Sequence, residues 1–264
     1  MSDDPVLLEQ RNGIATITIN QPDRRNALSI AVSNGIMDAL DEIEGGETRC
    51  VVLAGAGPAF CAGGDVKMMI ERFADEMSLD AGVRHVIQQT GRAIQRVAEC
   101  EFPTVAKVDG AAFGAGANLA IACDIVLFSD DAKISFGFRQ VGLAVDSGTS
   151  YLLPRLVGDN IARELVFTGE LLDADRAKEI GLVNHVYDTD AFEANATELT
   201  ETIATGPTVA LRTSKRLLRH NPNTSLDAAI EQEAAAQAAV LDSRDHAEGA
   251  AAFAERREPE FSGE

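Results

Sequence analysis

Two segments of the chain share one pattern: Phe60-Cys61-Ala62-Gly63-Gly64-Asp65 and Phe113-Gly114-Ala115-Gly116-Ala117-Asn118 each follow an apolar, strand-like run and open a helix-like one. Glycine lets a strand turn directly into a helix because it takes positive φ without steric cost. A chain with two such turns is committed to interleaved strands and helices, which means an α/β core. Each turn also leaves backbone N–H groups at a helix N-terminus, where negative charge is favoured. Two turns facing one point would form a pair of donors for an oxyanion. Taken singly, each is a tight turn before it is anything else. Neither carries the Gly-Lys-Ser/Thr ending of a phosphate loop, nor the dinucleotide G-x-G-x-x-G.

The rest of the chain extends this α/β pattern. Alternation predicts strands at 6–10 and 14–19 around Asn12-Gly13. Ser29 then caps a helix with Val32, Ile36, Leu40 and Ile43 on its apolar face, ended by Gly45-Gly46. A buried strand at 50–54, a loop at 55–64, a helix from Asp65 and a polar segment at 75–81 follow, before a long helix reaching about 98. Strands are expected at 104–108, 125–128, 133–136 and 182–187, with a Gly-rich turn at 110–116 and a short helix at 117–123. From about residue 190 onward the pattern is helical only, with Ala-rich stretches of the kind that pack on other helices. We divide the chain into a core, 1–195, and a helical region, 196–264, which we expect to join subunits.

Composition narrows the function. The 264 residues are 45% apolar, enough to build a core without a metal or disulfide. The formal charge is −19, which argues against nucleic acid or an anionic membrane as partner. No apolar run approaches the ~20 residues of a spanning helix, so a cytoplasmic address is the simplest. Only five of the 23 basic residues are lysine, against 42 acids, a surface suited to high salt and suggestive of a halophilic source. Cys50, Cys61, Cys100 and Cys123 form no C-x-x-C pair and read as reduced, buried thiols, although Cys61 in its Gly-rich loop is a possible nucleophile. The four histidines are scattered, so no metal is expected.

Longer stretches point to a family. Residues 108–155, VDGAAFGAGANLAIACDIVLFSDDAKISFGFRQVGLAVDSGTSYLLPR, resemble the signature of the enoyl-CoA hydratase/isomerase (crotonase) superfamily. PDRRNALS at 22–29, FCAGGD at 60–65 and AAFAERREPEF at 251–261 fit the same family in the same order. The resemblance implies a crotonase spiral of repeated ββα units with a C-terminal helical region that builds trimers, often paired into hexamers. It implies an acyl-CoA thioester as substrate and no cofactor beyond the coenzyme A that the substrate carries. By position, the backbone N–H groups of Gly64 and Ala115 would form the oxyanion hole for the thioester carbonyl. The adenine of CoA would lie near Ala27 and Ala62. Arg24 and Arg25 would suit its phosphates, or are simply solvated surface arginines. Phe253 and Arg256 match tail positions that cover CoA on a neighbouring subunit.

The departures from the family pattern bear on the reaction. Hydratases of this family position and activate water with two glutamates. The matching positions here are Asn118 and Phe138, and neither side chain transfers a proton. One acid remains between Lys133 and Pro154, namely Asp146, in a V-D-S-G context that resembles the ring-epoxyphenylacetyl-CoA isomerase and Δ3,Δ2-enoyl-CoA isomerase branch. From the residues alone Asp146 is also a good N-cap for the helix that follows. The resemblance favours a proton shuttle, with Phe136, Phe138 and Val145 as an apolar wall that would raise its pKa. Asp65 and Asp124 read as a helix cap and a strand-end acid, and Asn118 as a residue that holds a water or orients the site. An isomerase is therefore the favoured reading. The others are a hydratase, a ring-substrate CoA isomerase (Tyr151 follows the aspartate) and a non-catalytic acyl-CoA binder. Acyl specificity is expected to depend on residues 73–84.

Overall fold

The computed structural model describes residues 4–64, 83–84 and 86–264. The first two strands, β1 (Val6–Arg11) and β2 (Ile14–Ile19), pair antiparallel across the Asn12-Gly13 turn. In β2 every second residue, Ala15, Ile17 and Ile19, is buried, as a sheet with one packed face requires. Ser29 caps α1 (Ile30–Glu42) by accepting from the Val32 N–H at 3.3 Å, and the helix buries Val32, Ile36 and Leu40. Then β3 (Cys50–Gly55) joins β2 in parallel. It is buried on both faces, which explains why it reads as a continuous apolar run without alternation.

From β3 onward the chain repeats one move. It leaves the large sheet, turns, lays down a three-residue strand in a second sheet, and returns. The pairs are β3 with β4 (Ala59–Cys61), β5 (Thr104–Val108) with β6 (Ala111–Phe113), and β7 (Ile125–Ser129) with β8 (Lys133–Ser135). α2 (Gly91–Glu99) precedes β5, and α3 (Ala115–Ile121) follows β6. The large sheet closes with β10 (His185–Tyr187) in the order β1-β2-β3-β5-β7-β10. The small sheet has the order β4-β6-β8-β9, with β9 (Leu172–Asp173) antiparallel to β8. This is the α/β spiral of ββα units anticipated above.

Several boundaries differ from the sequence reading. The expected loop at 55–64 and turn at 110–116 each contain a strand of the small sheet, β4 and β6. β9 was not anticipated, and the last strand begins at His185 instead of 182. Two or three residues are too few to show a period of two, so these strands exist by pairing and not by local pattern. The short helix starts at Ala115, two residues before its expected start. The expected helix from Asp65, its cap, the polar segment 75–81, and residues 73–82 of the expected specificity stretch lie outside the described residues.

Between β8 and β10 run α4 (Thr149–Val157), α5 (Asp159–Thr168) and α6 (Ala174–Glu179). α7 (Thr189–Ala204) lays Phe192, Ala196 and Ala204 against Cys50, Val105 and Leu127, and it spans the division drawn at 195/196. The tail continues as α8 (Thr208–His220), α9 (Leu226–Leu241) and α10 (Arg244–Glu255). Lys215 ties α8 to the core through Asp124 Oδ2 at 2.6 Å and the Phe102 carbonyl at 2.7 Å. Asp124 also accepts from Thr104 N–H at 2.7 Å, so it is the strand-end acid the sequence suggested. Arg49 holds the chain end, donating to the carbonyls of Gly206 at 2.6 Å and Phe261 at 3.3 Å. Among the described residues no helix is long and apolar enough to cross a membrane.

Candidate active site

Two glycines set the centre of the site. A β-carbon on Gly63 would lie 2.4 Å from the Phe113 carbonyl oxygen and 3.4 Å from Ala115 N. A β-carbon on Gly116 would lie 2.2 Å from the Cys61 carbonyl oxygen. The first glycine turn therefore rests on the second chiefly through backbone atoms, and any other residue at either position would push them apart. Ala115 is the first residue of α3, where a helical N–H has no intrahelical acceptor. Among the described residues, neither Gly64 N–H nor Ala115 N–H donates to a protein oxygen. Both residues line one cavity of about 300 Å3.

The same cavity is lined by Ala62, Phe113, Phe138, Leu143, Asp146, Ser147 and Leu171, so its walls are mostly apolar. Asp146 supplies the one carboxylate among the described lining residues, and its Oδ1 is shielded from solvent. Asp146 does not cap the helix that follows it. The N-cap of α4 is Gly148, and no side chain caps there. It is the main-chain carbonyl of Asp146 that is held, accepting from Asn118 Nδ2 and from Thr149 N–H, each at 3.0 Å. Thr149 Oγ1 lies 2.8 Å from Asn118 Oδ1 and 3.0 Å from the same carbonyl. Asn118 and Thr149 are both fully buried.

Several expectations need correction here. Asn118 was expected at the substrate, holding a water or orienting the site, and the last of these fits its bonds to Asp146 and Thr149. It stands behind the wall instead of at the substrate, with both ends of its amide bonded to protein. Of the proposed apolar wall, Phe138 lines the cavity, whereas Phe136 and Val145 are not among its lining residues. Tyr151 lies outside the lining as well, half exposed on α4 with the Arg155 guanidinium stacked 3.5 Å from its ring centre. Cys61 is fully buried, and burial pushes its thiol up to about 12, so it is inert as a nucleophile at neutral pH. The sequence reading missed Thr149 and Ser147. Ser-Gly-Thr-Ser signals a turn and a helix start but not which hydroxyl finds a partner.

Of the positions expected at coenzyme A, Ala62 lines the cavity and Ala27 lies close to it. Ala62 N–H donates to the Arg25 carbonyl at 2.9 Å, and Leu28 N–H to Gly63 at 2.8 Å, which seats Ala27 beside the first glycine turn. Asn26, in a left-handed conformation, anchors that loop through the Ala56 and Ala59 carbonyls at 2.9 and 2.6 Å. Arg24 and Arg25 are exposed on it. Phe253, 88% exposed, and Arg256 sit at the end of α10 and are not among the lining residues of this cavity.

A family model described as enoyl-CoA hydratase/isomerase matches residues 9–264. The chain belongs to this family. It is 33% identical to the 1,2-epoxyphenylacetyl-CoA isomerase of Escherichia coli over 98% of each chain. It is 31% identical to the mitochondrial methylglutaconyl-CoA hydratase of Mus musculus, covering 98% of this chain and 82% of the relative. The crystal structure of an enoyl-CoA hydratase from Bacillus anthracis superimposes with a TM-score of 0.91 at 31% identity, covering 98% of this chain and all of that one. The architecture is therefore the crotonase fold, and the chain is an acyl-CoA enzyme of the hydratase/isomerase family. Members similar to it carry the names of both reactions, so membership alone leaves the reaction open.

Proposed function

We propose that the protein is an enoyl-CoA isomerase that converts a 3-enoyl-CoA to the conjugated 2-enoyl-CoA. The observation that supports this most is the single carboxylate, Asp146, among the described residues of a mostly apolar cavity. In this reading the N–H groups of Gly64 and Ala115 hold the thioester oxygen. Asp146 removes a proton from C2, and the electron pair spreads into a dienolate whose negative oxygen rests on the two amides. Asp146 then returns the proton to C4, and the double bond comes to lie between C2 and C3. No atom is gained or lost, so one shuttling group suffices. Hydration would need acid and base work on a water, and the two positions where hydratases carry glutamates hold a buried amide and a phenyl ring.

The coenzyme A portion is assigned to the rim, with adenine beside Ala27 and Ala62 and phosphates within reach of Arg24 and Arg25. The tail carries exposed Leu218 and Leu226, 77% and 75% accessible, which fits assembly into a trimer or a dimer of trimers. In such an assembly Phe253 and Arg256 of one copy would cover CoA on the next.

A paired turnover assay tests the reaction. Wild type and Asp146→Asn are each offered a 3-enoyl-CoA and a 2-enoyl-CoA. We expect wild type to form the conjugated ester from the 3-enoyl substrate, with a loss of roughly 10²–10⁴ in the variant. Water addition to the 2-enoyl ester that survives in Asp146→Asn would replace this reading with a hydratase. Binding of both esters without turnover would point to a non-catalytic member.

A further inference from the structure

We propose that Ser147 recognises a second oxygen on the acyl group, so that the substrates are acyl-CoA esters bearing a hydroxyl, carbonyl or ether oxygen beyond the thioester. The inference rests on the acyl-CoA reading of the cavity, and it goes beyond that reading by naming the substrate class.

Three observations meet at this residue. Ser147 contributes to the cavity wall next to Asp146. It is only 9% exposed, and among the described residues its Oγ has no hydrogen-bond partner. Its backbone is left-handed, with φ of 48°, and Gly148 follows at 93°. A left-handed conformation is costly for an L-residue that is not Asn, Asp or Gly, and an unbonded buried hydroxyl is a second cost at the same place. Glycine at 147 would remove both. Costs of this kind cluster where a ligand completes the structure.

The neighbouring hydroxyls show that the fold can satisfy such groups. Ser135 also lines the cavity, and its Oγ donates to the Gly169 carbonyl at 3.2 Å. Thr149 Oγ1 is held by Asn118 and Asp146. Ser147 stands apart from both. A plain hydrocarbon acyl chain brings one oxygen into the cavity, the thioester carbonyl, and in the reading above two backbone amides take it. Ser147 would remain unbonded with such a substrate. An acyl group with a further oxygen supplies the missing partner once the Oγ, closed off from solvent in this rotamer, turns about one bond into the cavity. A site built to bond a substrate oxygen discriminates against the analogue without it, because the protein group is then left unpaired.

The test reads binding by calorimetry and needs no turnover. Wild type, Ser147→Ala and Ser147→Gly are titrated with butanoyl-CoA, 3-hydroxybutanoyl-CoA and 4-hydroxybutanoyl-CoA. We expect wild type to bind at least one hydroxylated ester about fivefold to tenfold more tightly than butanoyl-CoA. In Ser147→Ala that preference disappears while butanoyl-CoA affinity is unchanged. Ser147→Gly relaxes the backbone and keeps the comparison available if the alanine variant does not fold. Equal affinities in wild type, or a preference retained in the variants, overturn the proposal. A failed double-bond shift in the turnover assay leaves this result standing, so the two readings fall separately.

Discussion

The Asp146 carbonyl receives Asn118 Nδ2 and Thr149 N–H, while Thr149 Oγ1 has a single proton to share between that carbonyl and Asn118 Oδ1. Removing the hydroxyl strands a buried amide oxygen. Thr149→Val should therefore lower stability by about 1–3 kcal/mol, and it should lower kcat far more than it changes KM, since the disturbed group carries the proposed acid. Thr149→Ser should restore both. Thermal denaturation and steady-state kinetics would check this, and an unchanged kcat in the valine variant would separate the clamp from the chemistry. At this scale the sequence was legible only in part. Asp146 stood out as an acid in a suggestive context, and two readings of it survived until Gly148 was seen to be the N-cap. The inward turn of Asn118 was not legible, because α3 is buried on every side and its pattern marks no single inner face.

Gly116→Ala acts on a whole turn. The added methyl would meet the Cys61 carbonyl and force the first glycine turn away from the second. Overpacking of this kind costs about 1–3 kcal/mol. A displacement approaching 1 Å at the carbonyl-holding groups costs on the order of 10²-fold in rate. We expect a folded protein with a lower Tm and kcat/KM down by roughly 10–100-fold, read by calorimetry and turnover; full activity would mean the turns are not mated as described. Both glycine turns were evident from the sequence, because glycine between a strand and a helix has few other uses. Of the small sheet, β8 was expected, as a strand at 133–136, and the other three strands were not. β4, β6, β8 and β9 have two or three residues each, and their pairing depends on partners dozens of residues away.

With 42 acids against 23 basic residues, the folded molecule works against its own charge. At 0.05 M salt the repulsion extends well beyond 10 Å, and at 1 M it is confined to about 3 Å. Raising NaCl across that range should raise Tm by roughly 2–8 °C, the response to about 1–2 kcal/mol in a chain of this size. Sucrose, which strengthens burial without screening, serves as the control. A flat or falling Tm in salt would mean that attractive surface pairs such as Arg96–Glu44 and Lys107–Glu193 outweigh the excess of acids. Charge, length and the wound α/β plan were all readable from the sequence, because they depend on totals and periods and not on particular contacts.

The mated glycines also divide the cavity into two halves with different freedom to change. On one side the Phe113 carbonyl fills the side-chain space of Gly63 and the Cys61 carbonyl that of Gly116, so a substitution in either turn is felt by the other. On the other, Phe138, Leu143, Asp146 and Ser147 stand on a single stretch of chain between β8 and α4, tied to α3 through the bond from Asn118 to the Asp146 carbonyl and not through filled side-chain space. Carboxylates, hydroxyls or bulk can be exchanged there while the opposite half keeps its shape. For protein engineering, this molecule is a fixed socket with an interchangeable tool, and libraries aimed at new reactions belong at 138–147, short of the Thr149 clamp.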